Sequence, residues 1–331
     1  MKIAIVKLSA LGDIVHAMIV LQFIKKHNKD IQIDWVVEKR YKDLLEFHPE
    51  IYKVHIVNIR KVKQKKSFVL LLKELKKVRK FGTYDLVIDM QGLIKSALIS
   101  RLIPSKITLG FDKSSAREGL ASIFYNKTFE YSYDANVIER NFELIKFALD
   151  LPFSAEEIQN KKPILSTNKK YLNKNISNYQ KNIILIPGAS KPEKCYPLEN
   201  FAALTYLIDA NYLVIWGSEE EKIIAERIKK LSPNVSICEK LSIHDLLSLI
   251  SLADLVIGPD TGPTHLAWGQ NIPSITLFGP TPGNRNTYIT KINTILESSS
   301  LVNPFKINKK DDSIKDISLV EIQNLANFLL N

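Results

Sequence analysis

The stretch KIAIVKLSALGD, residues 2–13, decides the fold of this chain. Residues 2–7 form a short run rich in Ile and Val, and a turn with a single glycine, Gly12, then leads into a helical pattern. An apolar run without polar alternation is typical of a strand covered on both faces, as in a parallel sheet with helical crossovers. Residues 2–13 therefore predict the first strand-to-helix junction of a doubly wound α/β sheet, which is where such sheets bind ligands.

The same pattern recurs along the chain and predicts two series of strands. The first series comprises residues 2–7, 31–37, 54–57, 84–90 and 107–111. The second comprises residues 182–187, 212–216, 235–238, 254–258 and 274–278. The chain length of 331 residues also exceeds the roughly 250–300 residues at which one core usually divides. We therefore predict two doubly wound domains.

The composition between the two series indicates a linker. Residues 159–181 are dominated by Asn, Lys, Ser and Tyr, which bury little surface. The predicted N-terminal and C-terminal domains are therefore residues 1–158 and 182–317. Residues 318–331 begin with SLVE, which matches a capping box before an apolar pattern, and they predict a closing helix that could pack back on the N-terminal domain.

The composition is that of a globular protein without a membrane span. Hydrophobic residues make up 45% of the chain and charged residues 24%. No apolar stretch approaches the roughly 20 residues that a spanning helix needs, and no signal peptide is evident. Cys195 and Cys238 lack metal-ligand spacing. We therefore expect reduced thiols and a cytoplasmic location.

The net charge of +11 is concentrated in the first half of the chain. Residues 1–150 hold 27 Lys and Arg against 17 Asp and Glu, whereas residues 151–331 hold 19 against 18. The segment from Arg60 to Lys80 contains ten basic residues and one acid, and it encloses the apolar run from Phe68 to Leu72. Such a segment suits an anionic membrane surface, but a solvated helix face accounts for it equally well.

Asp13 ends the turn after the first predicted strand, at the carboxyl edge of the sheet. As an acid in the first turn of a helix, it could simply cap the helix and complement its dipole. A dinucleotide-binding turn would offer Gly-x-Gly-x-x-Gly, whereas this turn has only Gly12, and a carboxylate there would repel a phosphate. A general base that faces a neutral hydroxyl therefore fits better than a dinucleotide site, and the capping role stays open.

The segment GPDTGPTHLA, residues 258–267, follows a predicted strand of the second series. Gly262 and Pro263 suit the start of a helix, whose free N–H groups and dipole favour a diphosphate. Asp260 just before it could bind sugar hydroxyls, and His265 could donate to a phosphate or a sugar. The alternative is a helix cap with a satisfied histidine.

Two further loops follow predicted strands of the second series. In PGASKPEKCYP, residues 187–197, small residues let a phosphate approach, and Lys191 or Lys194 could neutralise it or simply be solvated. The loop lacks the Walker A spacing of an ATPase. In WGSEEE, residues 216–221, a carboxylate at the strand end could bind ribose hydroxyls, although glutamates in a first turn also suit the helix dipole.

Together these motifs resemble those of glycosyltransferase family 9, the ADP-heptose lipopolysaccharide heptosyltransferases, and most closely the members that add the first heptose to Kdo. The resemblance rests on the order and spacing of several weak motifs along most of the chain. These motifs are residues 9–13, 89–97, 115–118, 124–126, 139–141, 187–194, 216–219 and 260–265. Where the family often has threonines and a tryptophan in the phosphate loop, this chain has Ala189, Ser190 and Cys195-Tyr196. The detailed donor contacts are therefore expected to differ.

The resemblance implies an α/β GT-B fold with two Rossmann-like, doubly wound parallel-sheet domains that face each other across a cleft. The acceptor would bind the first domain and the ADP-sugar the second. Asp13 would be the base of an inverting transfer and take the proton of a Kdo hydroxyl, and Lys194 would act at the phosphates or sugar of the donor. The remaining donor-binding residues implied are Ser190, Glu219, Asp260, Thr261, Gly262 and His265. The acceptor-binding residues implied are Arg60, Gln91, Arg117 and Arg140. Neither a metal nor a cofactor is expected.

The resemblance also implies the partners. The donor would be ADP-L-glycero-β-D-manno-heptose and the acceptor Kdo2-lipid A, and a monomer would associate peripherally with the anionic cytoplasmic face of the inner membrane without binding nucleic acid. The nearest alternative is a heptosyltransferase II, which adds the second heptose. Two alternatives from other classes are a GT-B-like nucleotide-sugar epimerase, which needs no acceptor, and a non-enzymatic basic membrane-surface protein, in which Asp13→Ala would be silent.

Overall fold

The computed structural model describes residues 1–152, 154–165 and 175–331. The chain divides into two compact units, Met1–Ile164 and Leu165–Asn331. The division falls within the linker predicted over residues 159–181, of which residues 166–174 lie outside the described part. Each unit contains one six-stranded parallel sheet with helices between its strands, which confirms the α/β class with two doubly wound sheets.

In the first unit, strands and helices alternate as the sequence predicts. Its elements are β1 (Lys2–Val6), α1 (Leu11–His27), β2 (Gln32–Glu38), α2 (Lys42–Leu45), β3 (Lys53–Val57), α3 (Ile59–Lys65), α4 (Phe68–Val78), β4 (Tyr84–Asp89), α5 (Ile94–Leu102), β5 (Ser105–Phe111), β6 (Lys127–Phe129), α6 (Val137–Leu149) and α7 (Glu156–Gln159). The strand order is β3-β2-β1-β4-β5-β6. The sequence pattern predicts all of these strands except β6, because its three residues, KTF, include no apolar run.

The second unit repeats this plan. Its elements are β7 (Asn182–Leu185), α8 (Leu198–Leu207), β8 (Asn211–Val214), α9 (Glu219–Leu231), β9 (Val235–Ile237), α10 (Ile243–Ile250), β10 (Leu255–Pro259), α11 (Gly262–Gln270), β11 (Ser274–Phe278), α12 (Gly283–Asn286), β12 (Asn293–Glu297) and α13 (Leu319–Leu330). The strand order is β12-β11-β10-β7-β8-β9. Here too the sixth strand, β12, is missing from the sequence prediction.

Both sheets reverse their strand order at one point, and this point positions the functional loops. In the first sheet the reversal lies between β1 and β4, where Val6 pairs with Asp89. In the second it lies between β7 and β10, where Leu185 pairs with Ile257. Ligands of doubly wound sheets bind outside the carboxyl ends of the strands at such a reversal. In the first unit the loops after β1 and β4 therefore lie side by side. In the second unit the same holds for the loops after β7 and β10.

Each sheet has its own apolar core. Val6 and Val87 are fully buried in the first core, and Ile183 and Leu255 are fully buried in the second. Because helices cover the sheets, the central strands carry unbroken apolar runs, and this is why they can be predicted from the sequence. Among the helices in the described part of the chain, none has the length and apolar character needed to cross a bilayer.

The closing helix α13 packs in the second unit. Ser318 stands at its N-cap, but within the described residues its hydroxyl accepts no capping hydrogen bond, so the predicted capping box is wrong. Ile322 and Ala326 are buried in the second core, and the Tyr196 hydroxyl donates to the backbone oxygen of Ile317 at 2.8 Å. The second core thus covers the side of α13 that carries Ile322 and Ala326.

Candidate active site

The loop after β1 presents Asp13 at the carboxyl edge of the first sheet. Asp13 is the third residue of α1, and its Oδ2 accepts a hydrogen bond from the Ala10 N–H at 3.0 Å. Because Ala10 has no side-chain oxygen, Asp13 supplies the cap of this helix. This is the only hydrogen bond to the half-buried carboxylate among the described residues. Its Oδ1 can therefore accept from a hydroxyl group, and the capping and base interpretations are compatible.

Gln91 fixes the loop that carries Asp13. Its Oε1 accepts hydrogen bonds from the backbone N–H groups of Leu8 and Ser9, both at 3.0 Å. The N–H of Gln91 donates to Oδ1 of Asp89 at 2.8 Å. The side-chain oxygen of Gln91 is thus occupied by the loop, which makes Gln91 a positioning residue for Asp13 rather than a direct acceptor ligand through that oxygen.

Asp89 anchors this arrangement from the end of β4. Its carboxylate is fully buried, and the Tyr125 hydroxyl donates to Oδ2 at 2.8 Å. The Gly92 N–H donates to Oδ1 at 3.3 Å. Burial raises the pKa of the Asp89 carboxyl. A buried acid with several internal donors holds the start of the β4 loop in one conformation.

The loop after β2 adds a tyrosine and an arginine that the sequence analysis does not single out. Tyr41 is buried, and the Arg40 guanidinium lies 4.3 Å from the centre of its ring. Burial raises the pKa of the Tyr41 hydroxyl, Arg40 and Arg60 oppose this rise, and the Asp13 carboxylate adds to it. The predicted base and one predicted acceptor-binding arginine therefore act on the same hydroxyl.

Glu38 is a buried carboxylate at the end of β2. Its Oε1 accepts a hydrogen bond from the backbone N–H of Arg60 at 3.0 Å. Burial raises the pKa of the Glu38 carboxyl, and the positive charges of Lys95 and Arg40 oppose the rise. The backbone of Arg60 is thereby tied to β2, so α3 starts at the same edge of the sheet as Asp13. Glu38 is absent from the sequence prediction, and Lys95 lies in the motif of residues 89–97 without an assigned role.

The other two predicted acceptor-binding arginines have different surroundings. The buried guanidinium of Arg140 donates to the backbone oxygens of Ser115, Tyr131 and Ser132. These contacts give Arg140 a structural role in place of the predicted acceptor contact. Arg117 is exposed in the loop after β5 and keeps its place in the predicted acceptor set.

In the second unit, Lys194 and His265 converge on Asp260. Lys194 lies in the loop after β7 and Asp260 follows β10 directly, and these two strands are neighbours. The Nζ of Lys194 is 2.7 Å from Oδ2 of Asp260, and the Nε2 of His265 is 2.9 Å from Oδ1. All three side chains are largely buried. The strand reversal thus assembles three residues of the predicted donor set.

Two further donors, which the sequence analysis misses, complete the surroundings of Asp260. The Thr281 hydroxyl donates to Oδ2 at 3.0 Å, and the Asn286 amide donates to the same atom at 3.3 Å. Burial opposes ionisation, but Lys194 and His265 outweigh it and hold the pKa of the Asp260 carboxyl well below its ordinary value. With its oxygens occupied by these groups, Asp260 is an internal counter-ion. This geometry does not support a direct contact between Asp260 and the sugar.

The loops after β7 and β8 meet at Glu221. Its Oε2 accepts from the Gly217 N–H at 2.6 Å, and its own N–H donates to the Ser218 hydroxyl at 3.3 Å, which caps α9. A β-carbon added to Gly188 would lie 2.4 Å from Cδ of Glu221, so only glycine allows this close packing. Glu221 is therefore structural, whereas Glu219, the first residue of α9, is exposed and can meet a ligand.

The start of α11 lies beside Asp260. Thr261 is the N-cap residue and Gly262 the first residue of this nine-residue helix. Both are half-buried, and the helix dipole places partial positive charge at this end. Ser190 is exposed in the loop that also carries Lys194. An ammonium group and a helix N-terminus together favour an anion at this edge of the second sheet.

Known glycosyltransferases resemble this chain along nearly its whole length. Residues 71–314 match the model of glycosyltransferase family 9 (heptosyltransferase). The chain is 36% identical to lipopolysaccharide heptosyltransferase 1 of Campylobacter coli, covering 98% of each protein. It is 30% identical to the protein of that name from Escherichia coli K12, over 86% of this chain and 89% of that protein.

Solved structures agree with this relationship. E. coli heptosyltransferase WaaC with ADP matches with a TM-score of 0.79 and 25% identity, over 99% of this chain and 100% of that one. The similarity runs through both sheets, which confirms the GT-B fold. Since the family model also spans most of the chain, the protein belongs to glycosyltransferase family 9, the heptosyltransferase family.

Proposed function

We propose that this glycosyltransferase moves L-glycero-D-manno-heptose from ADP-heptose to a Kdo hydroxyl of Kdo2-lipid A during synthesis of the lipopolysaccharide inner core. The observation that carries the proposal is the end-to-end similarity to the heptosyltransferase 1 of C. coli. The reaction would take place at the cytoplasmic face of the inner membrane, where a lipid-anchored acceptor is embedded.

The second unit supplies the proposed donor site. Lys194 and the N-terminus of α11 would bind the diphosphate, since both present positive charge at one sheet edge. Glu219 would accept the ribose hydroxyls, as carboxylates at strand ends do in nucleotide-binding sheets. Asp260 would hold Lys194 and His265 in place rather than contact the heptose. The E. coli relative, whose structure contains ADP, supports an ADP-linked donor.

The first unit supplies the proposed base and acceptor contacts. Asp13 would take the proton of the acceptor hydroxyl while that oxygen attacks the anomeric carbon of the heptose. The bond from this carbon to the diphosphate oxygen breaks, ADP leaves with the electron pair, and the configuration inverts. Arg60 and Arg117 would bind the carboxylates and phosphates of the acceptor, because a guanidinium can donate two parallel hydrogen bonds.

Product analysis tests the proposal. The full chain is incubated with ADP-heptose and either Kdo2-lipid A or its mono-heptosylated form, and the lipids are analysed by mass spectrometry. We expect one heptose on Kdo2-lipid A and an equal amount of released ADP. Product from the mono-heptosylated lipid alone would replace the proposal by a heptosyltransferase II. Conversion of the donor without any acceptor would replace it by an epimerase.

The variant Asp13→Asn tests the proposed base. The asparagine oxygen can still accept from the Ala10 N–H, but the amide cannot take a proton. Turnover should therefore fall by about a hundredfold to ten-thousandfold, with ADP affinity within about twofold of the original. The matched control is Asp30→Asn, the same change at an exposed site before β2, which should leave turnover unaltered. Equal losses of turnover in both variants, or no loss in Asp13→Asn, would reject Asp13 as the base.

A further inference from the structure

The surface of α3 and α4 combines exposed apolar side chains with lysines. On α4, Phe68, Val69 and Leu72 are 69%, 61% and 42% exposed. The exposed lysines of α3, of the turn after it and of α4 are Lys61, Lys63, Lys65, Lys66, Lys73 and Lys76. We call these nine residues the basic–apolar face. Neighbouring large apolar side chains on a protein surface, rimmed by polar groups, mark an interaction site.

The rest of α4 is anchored, so this face is held toward solvent. Val78 at the end of the helix is buried in the first core. The Oε2 of Glu74 accepts a hydrogen bond from the Asn58 N–H at 3.1 Å, which ties the helix to the start of α3. Phe68 and Leu72 are four residues apart and therefore share one side of the helix. The exposure of this apolar pair follows from the fold and not from a loose segment.

The charge around the face is positive and nearly unopposed. All ten Lys and Arg residues between Arg60 and Lys80 are exposed. The one acid of this segment, Glu74, is used by Asn58 and by Lys77, whose Nζ lies 3.9 Å away. Basic residues attract an anionic bilayer, and apolar side chains between them enter its headgroup boundary. Nucleic acid would meet the lysines through its phosphates but would leave the apolar side chains uncovered.

The position of the face links it to the proposed acceptor site. The backbone N–H of Arg60 in α3 donates to Glu38 at the carboxyl edge of the first sheet. The charges of Arg60 and Asp13 both act on the Tyr41 hydroxyl at that edge. The helix that carries part of the basic–apolar face therefore starts where the acceptor headgroup would have to arrive.

We propose, on the basis of the function proposed above, that the basic–apolar face docks on a bilayer that contains anionic phospholipid. Phe68, Val69 and Leu72 enter the headgroup boundary, and the lysines around them contact lipid phosphates. Docking in this orientation keeps the edge that carries Asp13 at the membrane surface, where the lipid-anchored acceptor is found.

Vesicle flotation of the full chain tests the docking surface without donor or acceptor. Vesicles of phosphatidylcholine are compared with vesicles that also contain phosphatidylglycerol. Phe68→Ser/Leu72→Ser should weaken binding to the anionic vesicles by about tenfold or more. Lys65→Glu/Lys66→Glu/Lys73→Glu should weaken it by about a hundredfold, since each lysine near the lipid contributes about fivefold.

Matched control variants lie in the second unit. Val320→Ser/Phe328→Ser changes two side chains of α13 that are 59% and 72% exposed. Lys306→Glu/Lys309→Glu/Lys310→Glu reverses three exposed lysines. Both controls should bind vesicles within about twofold of the unmodified chain. Equal losses in the control variants would overturn the docking surface, because they would show a general effect of charge or apolar area.

Three other results would also overturn the proposal. These are equal binding to neutral and anionic vesicles, unaltered binding by the Phe68/Leu72 and lysine variants, and loss of nucleic-acid binding by these variants while vesicle binding persists. A separate assay with a deacylated, water-soluble Kdo acceptor separates docking from the proposed function. Variants of the basic–apolar face should keep full activity in that assay and lose it on Kdo2-lipid A in vesicles. No product in any variant would reject the proposed function and leave the flotation result unaffected.

Discussion

Replacing Lys194 by methionine should leave Asp260 as a buried charge that lacks its closest cation. The Nζ of Lys194 is 2.7 Å from Oδ2 of Asp260, and their side chains are 12% and 9% exposed. Removal of one partner of a buried ion pair costs about 3–5 kcal/mol, because the remaining charge stays desolvated. Thr281 and Asn286 still donate to the carboxylate. We therefore expect a loss near the lower end, about 3 kcal/mol in the free energy of unfolding.

A double-mutant cycle isolates this interaction. Asp260→Asn removes the negative charge and should also cost about 3 kcal/mol, because it leaves the Lys194 ammonium buried without a counter-ion. The double variant leaves neither charge behind. The double variant should therefore lose about 2–3 kcal/mol less free energy of unfolding than the two single variants lose in sum.

The pH dependence of Asp260→Asn gives a second check. The folded-state pKa of Asp260 lies below its ordinary value of 3.8, so its ionised form stabilises the folded chain above pH 3.8. This contribution is lost as the pH falls from there through the folded-state pKa. The stability difference between the unmodified chain and Asp260→Asn should therefore shrink on acidification below pH 3.8.

Urea unfolding followed by tryptophan fluorescence measures these free energies, with Trp216 and Trp268 in the second unit as reporters. The matched control is Lys181→Met, which breaks the exposed pair with Asp254, an N–O distance of 3.4 Å with side chains 55% and 34% exposed. It should cost less than about 1 kcal/mol. Additive losses, with a coupling below about 0.5 kcal/mol, would refute the counter-ion role of Asp260.

Three further predictions concern the first unit. Gln91→Ala should lower the free energy of unfolding by about 2 kcal/mol and slow turnover, because two backbone N–H groups lose their acceptor. Gln91→Glu keeps an acceptor oxygen, so its urea unfolding and its rate of ADP release should stay close to those of the unmodified chain. Arg140→Lys should cost about 2–3 kcal/mol, because the single nitrogen of an ammonium cannot stand in both places where the two guanidinium nitrogens donate. Arg117→Ala should instead raise the acceptor KM at unchanged stability, and the opposite pattern would return Arg140 to the acceptor site. Burial lowers the pKa of His48 from 6.5 to about 4, so on acidification the unfolded chain takes up this proton before the folded chain does. The free energy of unfolding should therefore fall as the pH is lowered from 6.5 to about 4, by up to about 1.4 kcal/mol per pH unit. In His48→Gln this slope should flatten, and an unchanged acid unfolding profile would show that another group causes it.

The sequence predicts the central strands well, because burial on both faces requires apolar runs that stand out from their surroundings. The sixth strand of each sheet is missed by the sequence prediction for the same reason. β6 is the three-residue stretch KTF at the sheet edge. β12 is NTILE, half-buried and also at an edge. A short or half-buried strand at a sheet edge needs little apolar character, so these two stretches resemble loops, whereas the edge strands β3 and β9 keep enough Val and Ile to be predicted.

The site could be predicted as far as strand ends indicate it. Lys194, Asp260 and His265 converge because their loops follow neighbouring strands, and strand neighbours follow from the doubly wound pattern. Thr281 lies in the loop after β11 and Asn286 ends α12, and neither small polar residue produces a charge pattern that would single it out.

The direction in which a side chain points cannot be predicted from strand order, because it depends on tertiary contacts. The sequence places Arg140 in a motif over residues 139–141, but the backbone oxygens that accept from its guanidinium belong to Ser115, Tyr131 and Ser132. The oxygen of Gln91 likewise meets backbone groups more than eighty residues away along the chain. Position along the chain therefore identifies candidate residues without deciding between ligand contact and support.

The hydrogen bond from Tyr196 to Ile317 has a genetic consequence. Tyr196 lies two residues beyond Lys194, so the loop of the proposed phosphate site rests on the segment that leads into α13. A stop codon in place of the Ile317 codon would remove the acceptor of this hydrogen bond together with Ile322 and Ala326, so one side of the second core would be lost and the loop released at the same time. Nonsense and frameshift mutations just before α13 should therefore inactivate the enzyme as fully as early ones, although they spare every residue of the candidate active site.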